Sequence, residues 1–450
     1  MSRRTALLLA SIIAATSAAG PAAALAQDAS LGERVAPVVT FDSAWSAIAR
    51  TYWDTTLLKG RWRVAHDSLR ALAVTATDDA DARRLIRALI EVPRQSHFVL
   101  LPRSAATESA AGASDEGPRP GGAPTPGTAG LELRMIGDTL VAWRVARGGA
   151  AARAGIAPGA IIRSIDGVAT DSLRALARTS TTDRVQANRL VNILATRMVG
   201  GSVGDTLCLR FDARDVRIVR TRLEGFATRF GNLPSLVVST GGDSVTLRGR
   251  TGRPAALITF SAWFPAIVPE LDGRLFAARG APGVILDLRG NPGGIVGMLA
   301  GVSGHFLDTA VALGTMRARG ATIRFVANPR IVDRTGRRVE VIGAPLAILV
   351  DGFTGSTSEF FASGMQALGR ARVFGVSSAG QALPALMSAL PNGDVLMHVI
   401  ADHEDAGGRR VEGDGVRPDE VTPLTRADLL AGRDAALEAA RAWLARTAGK

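Results

Sequence analysis

Two short turns hold most of the residues able to do chemistry. The first, Asp287-Leu288-Arg289-Gly290-Asn291-Pro292-Gly293-Gly294, ends an apolar run from Val284 to Leu288. Its glycines let the backbone approach another group closely. Its N–H groups could hold a phosphate or a developing oxyanion, or could belong to an ordinary strand-to-helix turn. Neither a Walker A pattern nor a dinucleotide fingerprint is present, which weighs against phosphate. The second turn, Thr354-Gly355-Ser356-Thr357-Ser358-Glu359, follows the apolar Leu346 to Val350. It leads into a segment where Phe361, Met365 and Leu368 fall on one helical face. Ser356 at that helix start could be an N-cap. It could equally be a nucleophile whose oxyanion meets the positive helix end. Five histidines are candidate bases: His66, His97, His305, His398 and His403. His66 sits among charged helical residues and is expected to be solvated. His305 reads as structural, and His398 and His403 flank a strand. A lone histidine beside an apolar strand, as His97 is, is more often a satisfied core residue. The single cysteine, Cys208, excludes an intramolecular disulfide and a multi-cysteine zinc site. The alternation of Thr206 to Phe211 predicts it as a small core residue.

The 450 residues are enough for about three domains at roughly 150 residues each. Hydrophobic residues at 47% and charged residues at 21% exclude a wholly disordered chain. The formal charge is +12, but it is spread over scattered arginines, with only Lys59 and Lys450 as lysines. Nucleic-acid binding needs a concentrated basic face, so it is not expected. Arg3 and Arg4, the apolar Ala6 to Ala15 and the Ala24-Leu25-Ala26 site predict a signal peptide over 1–26. The apolar run is short for a membrane span, and an uncleaved anchor is the lesser alternative. The mature chain is expected to be periplasmic or extracellular, without stable membrane insertion. Helical spacing through Trp45, Ile48, Leu85 and Leu89 predicts a helical N-terminal domain over 35–103. The Ala/Ser/Gly/Pro composition of 104–127 predicts a flexible linker. Residues 128–222 read as strands around one or two helices, from Gly130-Leu131-Glu132-Leu133 to a closing strand at Thr206–Phe211. Residues 223–450 alternate strands and helices, an α/β pattern, and end in one long helix from Ala427 to Thr447.

Taken together, the two turns resemble the C-terminal processing (tail-specific) peptidases and their tricorn-core and interphotoreceptor retinoid-binding relatives. A DLRxNxGG turn there precedes an SASE-like turn bearing the nucleophile. The stretch from Gly155 to Gly167 resembles a PDZ domain. Val411-Glu412-Gly413-Asp414-Gly415-Val416-Arg417-Pro418-Asp419 is similar to the family's late EGxGVxPD segment, and Gly432-Arg433-Asp434 to its GxD. The resemblance implies a spiral α/β sandwich (crotonase-like) catalytic domain over 223–450, a PDZ domain over 128–222 and a helical N-terminal domain. It implies Ser356 as nucleophile, with the N–H groups of Gly294 and Thr357 as the oxyanion hole. Chain ends would be bound near Gly130, Leu131, Glu132 and Leu133 by strand addition. No metal, nucleotide or other cofactor is implied, and the partners would be protein or peptide substrates.

The chain departs from the tail-specific branch at the base. Gln381, in Ser378-Ala379-Gly380-Gln381, stands where that branch has its lysine. An amide has no basic lone pair near neutral pH, and neither Lys59 nor Lys450 can substitute. Ser96-His97 resembles the Ser-His pair of the tricorn branch, where a glutamate holds the serine and the serine orients the histidine. The corresponding set is Glu412, Ser96, His97 and Ser356. A histidine suits both taking the serine proton and returning it to the leaving amine. The rival expectations are an inactive peptidase-fold protein that binds peptide chain ends and, with less support, an apolar-ligand carrier.

Overall fold

The computed structural model describes residues 35–103, 125–181, 183–228, 236–247 and 253–447. The signal-like residues 1–26 and linker residues 104–124 lie outside the described residues. Among those described, no helix is long and apolar enough to cross a membrane.

The N-terminal segment forms helices α1 (Pro37–Thr51), α2 (Arg61–Thr75) and α3 (Asp79–Glu91). Asp78 caps α3 by accepting from the Asp81 N–H at 2.8 Å, and Ala82, Leu85, Ile86, Leu89 and Ile90 are buried. Strand β1 (Val99–Leu101) follows. The helices do not close a core of their own. Phe41, Ile48, Tyr52 and Trp62 share one with Leu383, Leu390, Leu396 and Val399 from far along the chain. His66 is not solvated, contrary to its charged neighbours. It is 5% exposed and stacks on Trp45 with ring centroids 4.4 Å apart. Contact with α1 sets its environment.

In the next unit, β2 (Leu131–Ile136) and β3 (Thr139–Val145) form a hairpin. Helices α4 (Thr170–Ser180) and α5 (Arg184–Val199) and strands β4 (Thr206–Arg210) and β5 (Asp215–Val219) complete it. Two boundaries differ from expectation. Pro126 and Gly127, placed in the linker, pair with Ser202 and Gly201, so the unit begins earlier. Strand β4 does not close it but turns into β5. Cys208 is only half-buried. Leu207 and Leu209 take the inward positions of β4, so the strand's period of two turns Cys208 outward.

The rest is built on a six-stranded sheet. In chain order its elements are β6 (Thr240–Val245), β7 (Ala255–Phe260), α6 (Val268–Ala277), β8 (Val284–Asp287), α7 (Met298–Ser303), β9 (Val311–Ala318), β10 (Ala321–Ala327), β11 (Leu346–Val350), α8 (Thr357–Ala367) and β12 (Ala371–Gly375). They continue with β13 (Ala385–Ala389), β14 (Val395–Val399), β15 (Ala401–Asp405), β16 (Glu420–Val421), α9 (Arg426–Leu430) and α10 (Ala435–Thr447). The sheet order is β6-β7-β8-β11-β12-β16, parallel from β7 onward, with β6 antiparallel at the edge. Strands β8 and β11 are buried at every position, as a parallel sheet covered on both faces requires. Leu286, Ile348 and Val350 meet Phe360, Phe361 and Met365 of α8 in one core. Ile285, Ala347 and Leu349 meet Ala436, Ala440 and Leu444 of α10 in the other. The expected single last helix is two, because Gly432 at φ 65° breaks it between α9 and α10.

Candidate active site

Both candidate turns leave the carboxyl ends of adjacent parallel strands, β8 and β11, where α/β sheets place their sites. Asn291 ties the turns together. Its Nδ2 donates to the Phe260 carbonyl (2.8 Å), its Oδ1 accepts from Gly293 N–H (3.0 Å), and its carbonyl accepts from Gly355 N–H (3.0 Å). Gly293 has φ 96°, and a Cβ there would lie 2.7 Å from the Ser356 Cβ and 2.8 Å from the Thr357 nitrogen. Gly294 has φ 147°, and a Cβ would meet the Trp263 carbonyl oxygen at 2.4 Å. Only glycine fits either position. The Gly294 carbonyl accepts from Thr357 Oγ1 at 2.9 Å. Among the described residues neither the Gly294 nor the Thr357 N–H meets a protein acceptor. Two free backbone donors therefore sit where the two turns meet.

Ser356 starts α8 at φ 52°, ψ −121°, a strained conformation for a residue with a side chain. It is fully buried, and its Oγ has no hydrogen-bond partner. Ser356 and Glu359 form a Ser-x-x-Glu capping box at this helix start, yet no full hydrogen bond ties Oγ down. The backbone N–H is held twice, by the Gln381 carbonyl and by Glu359 Oε2, each at 2.9 Å.

The other expected residues form a connected chain. Glu412 Oε2 accepts from Ser96 Oγ (2.9 Å) and Ala382 N–H (2.8 Å), and its Oε1 accepts from Ser96 N–H (2.9 Å). Burial pushes the Glu412 carboxyl up, opposed by these donors and by Arg410. Ser96 Oγ lies 2.7 Å from His97 Nδ1. A hydroxyl has one proton, and Ser96 gives it to Glu412, so His97 Nδ1 must donate and Nε2 must carry the lone pair. Nε2 is buried and has no partner. Burial and the charge of Arg189 lower the His97 pKa to about 4, so the ring is neutral at pH 7. His97 has φ 61°, a second strained residue in the set.

His97 and Ser356 are not hydrogen-bonded to each other, since each atom lacks a partner. Their supports are adjacent: Gln381 O holds Ser356 and Ala382 N–H holds Glu412. Gln381 thus supports the Ser356 turn through its backbone carbonyl. The other histidines are placed elsewhere. His305 is buried against Asp272, His398 lies between Thr51 and Ser388, and His403 stacks on Phe360.

The residues expected to bind chain ends, Gly130 to Leu133, lie in a strand edge already in use. Gly130 N–H donates to Thr128 Oγ1, Met135 N–H donates to Asn192 Oδ1 (2.6 Å), and the Leu133 carbonyl accepts from Arg134 Nη1 (2.9 Å). Beside this edge a cleft of about 500 Å³ runs between β2, α5 and the loops at Asp351–Phe353 and Ser377–Ala379. Arg134 bridges it, with its guanidinium 4.2 Å from the Trp143 ring and 4.3 Å from that of Phe353. Arg189 donates to the Ala379 carbonyl at 2.8 Å. Sequence reasoning did not reach Arg134, Arg189, Asn192 or Trp263, whose roles depend on contacts distant along the chain. Glu359 was visible only as the end of a Ser-x-x-Glu spacing.

The site thus sets a glycine-lined turn against a serine elbow on a mixed α/β fold. Residues 265–422 match the model of peptidase family S41. A carboxyl-terminal-processing protease of Picosynechococcus sp. is 30% identical over 145 residues, 32% of this chain and 33% of that protein. Carboxyl-terminal-processing peptidase 2 (chloroplastic) of Arabidopsis thaliana is 26% identical over 284 residues, 63% of this chain and 50% of the relative. The chain therefore spans about a third to a half of the curated relatives it matches. The structure of a photosystem II D1 C-terminal processing protease superposes with a TM-score of 0.57 at 18% identity, covering 92% of this chain and 98% of that one. Mature CPAF superposes at 0.56 and 12% identity, covering 92% and 99%. At these identities the likeness shows the fold alone.

Proposed function

We propose that the protein is an exported serine endopeptidase that hydrolyses peptide bonds through an acyl-enzyme on Ser356, with His97 as base. The observation that carries this reading is the Glu412–Ser96–His97 chain, which leaves a lone pair on His97 Nε2 and no competing partner on Ser356 Oγ. His97 takes the Ser356 proton as Oγ attacks the carbonyl. Ser96 and Glu412 hold the ring in the donating-Nδ1 tautomer and stabilise its charged form. The N–H groups of Gly294 and Thr357 receive the oxyanion, where losing one donor typically costs about 3–4 kcal/mol of barrier. His97 then protonates the leaving amine, and water releases the acyl group. In this reading residues 223–450 are a crotonase-like spiral sandwich, 128–222 a PDZ domain and 35–103 a helical arm. The β2–α5 groove is the chain-end site, and an incoming strand would displace Asn192 from Met135 N–H.

The test is hydrolysis of an unfolded protein by wild type, Ser356→Ala and His97→Ala. The expected result is cleavage by wild type and loss in both folded variants. Retained activity in His97→Ala would move the base elsewhere. Gln381 motivates a second reading, a peptide-binding protein without turnover. Binding of chain-end peptides with no cleavage, and no labelling of Ser356 by a fluorophosphonate, would establish that one instead.

A further inference from the structure

Glu359 is fully buried three residues after Ser356, and its carboxylate collects four donors. Oε2 accepts from the N–H groups of Ser356 and Gln381, each at 2.9 Å. Oε1 accepts from Ser378 Oγ (2.5 Å) and Gly380 N–H (2.6 Å). Among the described residues no arginine or histidine forms an ion pair with it, although Arg189 acts on it at longer range. A buried carboxylate without a contacting cation is costly, and capping a helix does not require one. The four donors indicate what this group does instead. Ser378 Oγ also accepts from Val416 N–H (2.6 Å), and the Gly380 carbonyl accepts from Gly413 N–H (2.9 Å). These bonds reach the segment that carries Glu412, and Ala382, next to Gln381, donates to Glu412 itself. One carboxylate thus fastens the strained nucleophile turn to the segment that supports the histidine.

Resting on the peptidase reading above, we propose that Glu359 is a positioning residue that holds Ser356 and segment 378–382 in a single register. It touches no reacting atom.

The experiment uses Glu359→Gln, which keeps the shape. Whichever way the amide faces, its NH₂ meets two of the four donors. The turn should shift, and a misplacement of about 1 Å typically costs on the order of 100-fold in rate. Expected are a fall of that order in kcat and in the fluorophosphonate labelling rate of Ser356, with KM within about twofold, in a protein that stays folded. Ser378→Ala removes one donor and leaves the charge, so it should lose about fivefold. Wild-type kcat in folded Glu359→Gln overturns the proposal, as does a change confined to KM. If Glu359→Gln does not fold, wild-type kcat in Ser378→Ala overturns it. Hydrogen exchange reads the same role without turnover: the Ser356, Gly380 and Gln381 amides should lose protection in Glu359→Gln. Retained protection overturns the proposal even if the wild type proves inactive. Absence of wild-type labelling, with protection lost in the variant, would count against the peptidase reading alone.

Discussion

His97 and Ser356 share two unusual properties. Both are buried, and both hold positive φ, at 61° and 52°, which costs on the order of 1–3 kcal/mol each. Such strain persists only where surrounding bonds over-determine it. For His97 those bonds come from Ser96 and Glu412, and for Ser356 from Gln381 and Glu359. The two supporting systems titrate far apart. Burial pushes the Glu359 carboxyl up to about 7, against the pull of its donors. Burial and Arg189 bring His97 down to about 4. Arg189 of α5 is the charged group that acts on Glu359, and Ser378 donates to it from the 378–382 segment. Protonating Glu359 places an O–H among donors, and protonating His97 removes the base. The profile of kcat/KM should therefore fall in two steps on acidification, one near 7 and one near 4. Glu359→Gln should abolish the upper step and keep the lower. A single step near 6.5 would mean that an ordinary exposed histidine is the base.

At the level of elements, the register between the two turns decides whether the donors can act together. Gly293→Ala puts a methyl 2.7 Å from the Ser356 Cβ at φ 96°. It should destabilise the fold by about 1–3 kcal/mol and reduce kcat on the order of 100-fold by moving the Thr357 donor. Gly297→Ala is the control, since the nearest atom to its Cβ is 3.9 Å away. Equal effects of the two substitutions would remove the special role of the Gly293 contact. The strands that carry these turns were readable from sequence, because β8 and β11 are continuous apolar runs ended by glycine- and serine-rich turns. The Glu412–Ser96–His97 set was readable only through family resemblance, as no local pattern links positions more than 300 residues apart. His66 and the break at Gly432 were misread for a common reason. Local charge and periodicity describe an isolated helix, whereas α1 packing over His66 and a left-handed glycine are decided by the tertiary chain path. Arg134 and Arg189 were equally silent, since an arginine's sequence neighbours do not reveal a ring or a carbonyl in another unit.

Across the whole molecule, the buried histidines set the response to acid. His97 and His398 are lowered to about 4 and His403 to about 3, each mainly by burial. Their unfolded values lie near 6.5, so between pH 6.5 and these values the unfolded chain binds more protons, and stability falls as pH falls. Going from pH 7 to 5 costs about 2 kcal/mol for each of the three. Glu359 has the opposite sign. Its folded pKa is raised to about 7, so the folded chain takes up its proton first and gains about 2 kcal/mol over the same interval. The strongest carboxylate–arginine cluster does not respond in this window, because Arg289 and Arg144 overcome burial and hold Asp287 at about 2. These four groups together contribute a loss of about 4 kcal/mol between pH 7 and 5, a large part of a typical stability of about 5–15 kcal/mol. Urea unfolding at the two pH values measures it. His403 stacks on Phe360 with ring centroids 3.7 Å apart and leaves Nδ1 without a partner. His403→Leu should therefore remove about 2 kcal/mol of the pH-dependent loss whatever it does to stability at pH 7. An unchanged difference between the two pH values in that variant would show that His403 is not the neutral buried group this balance requires.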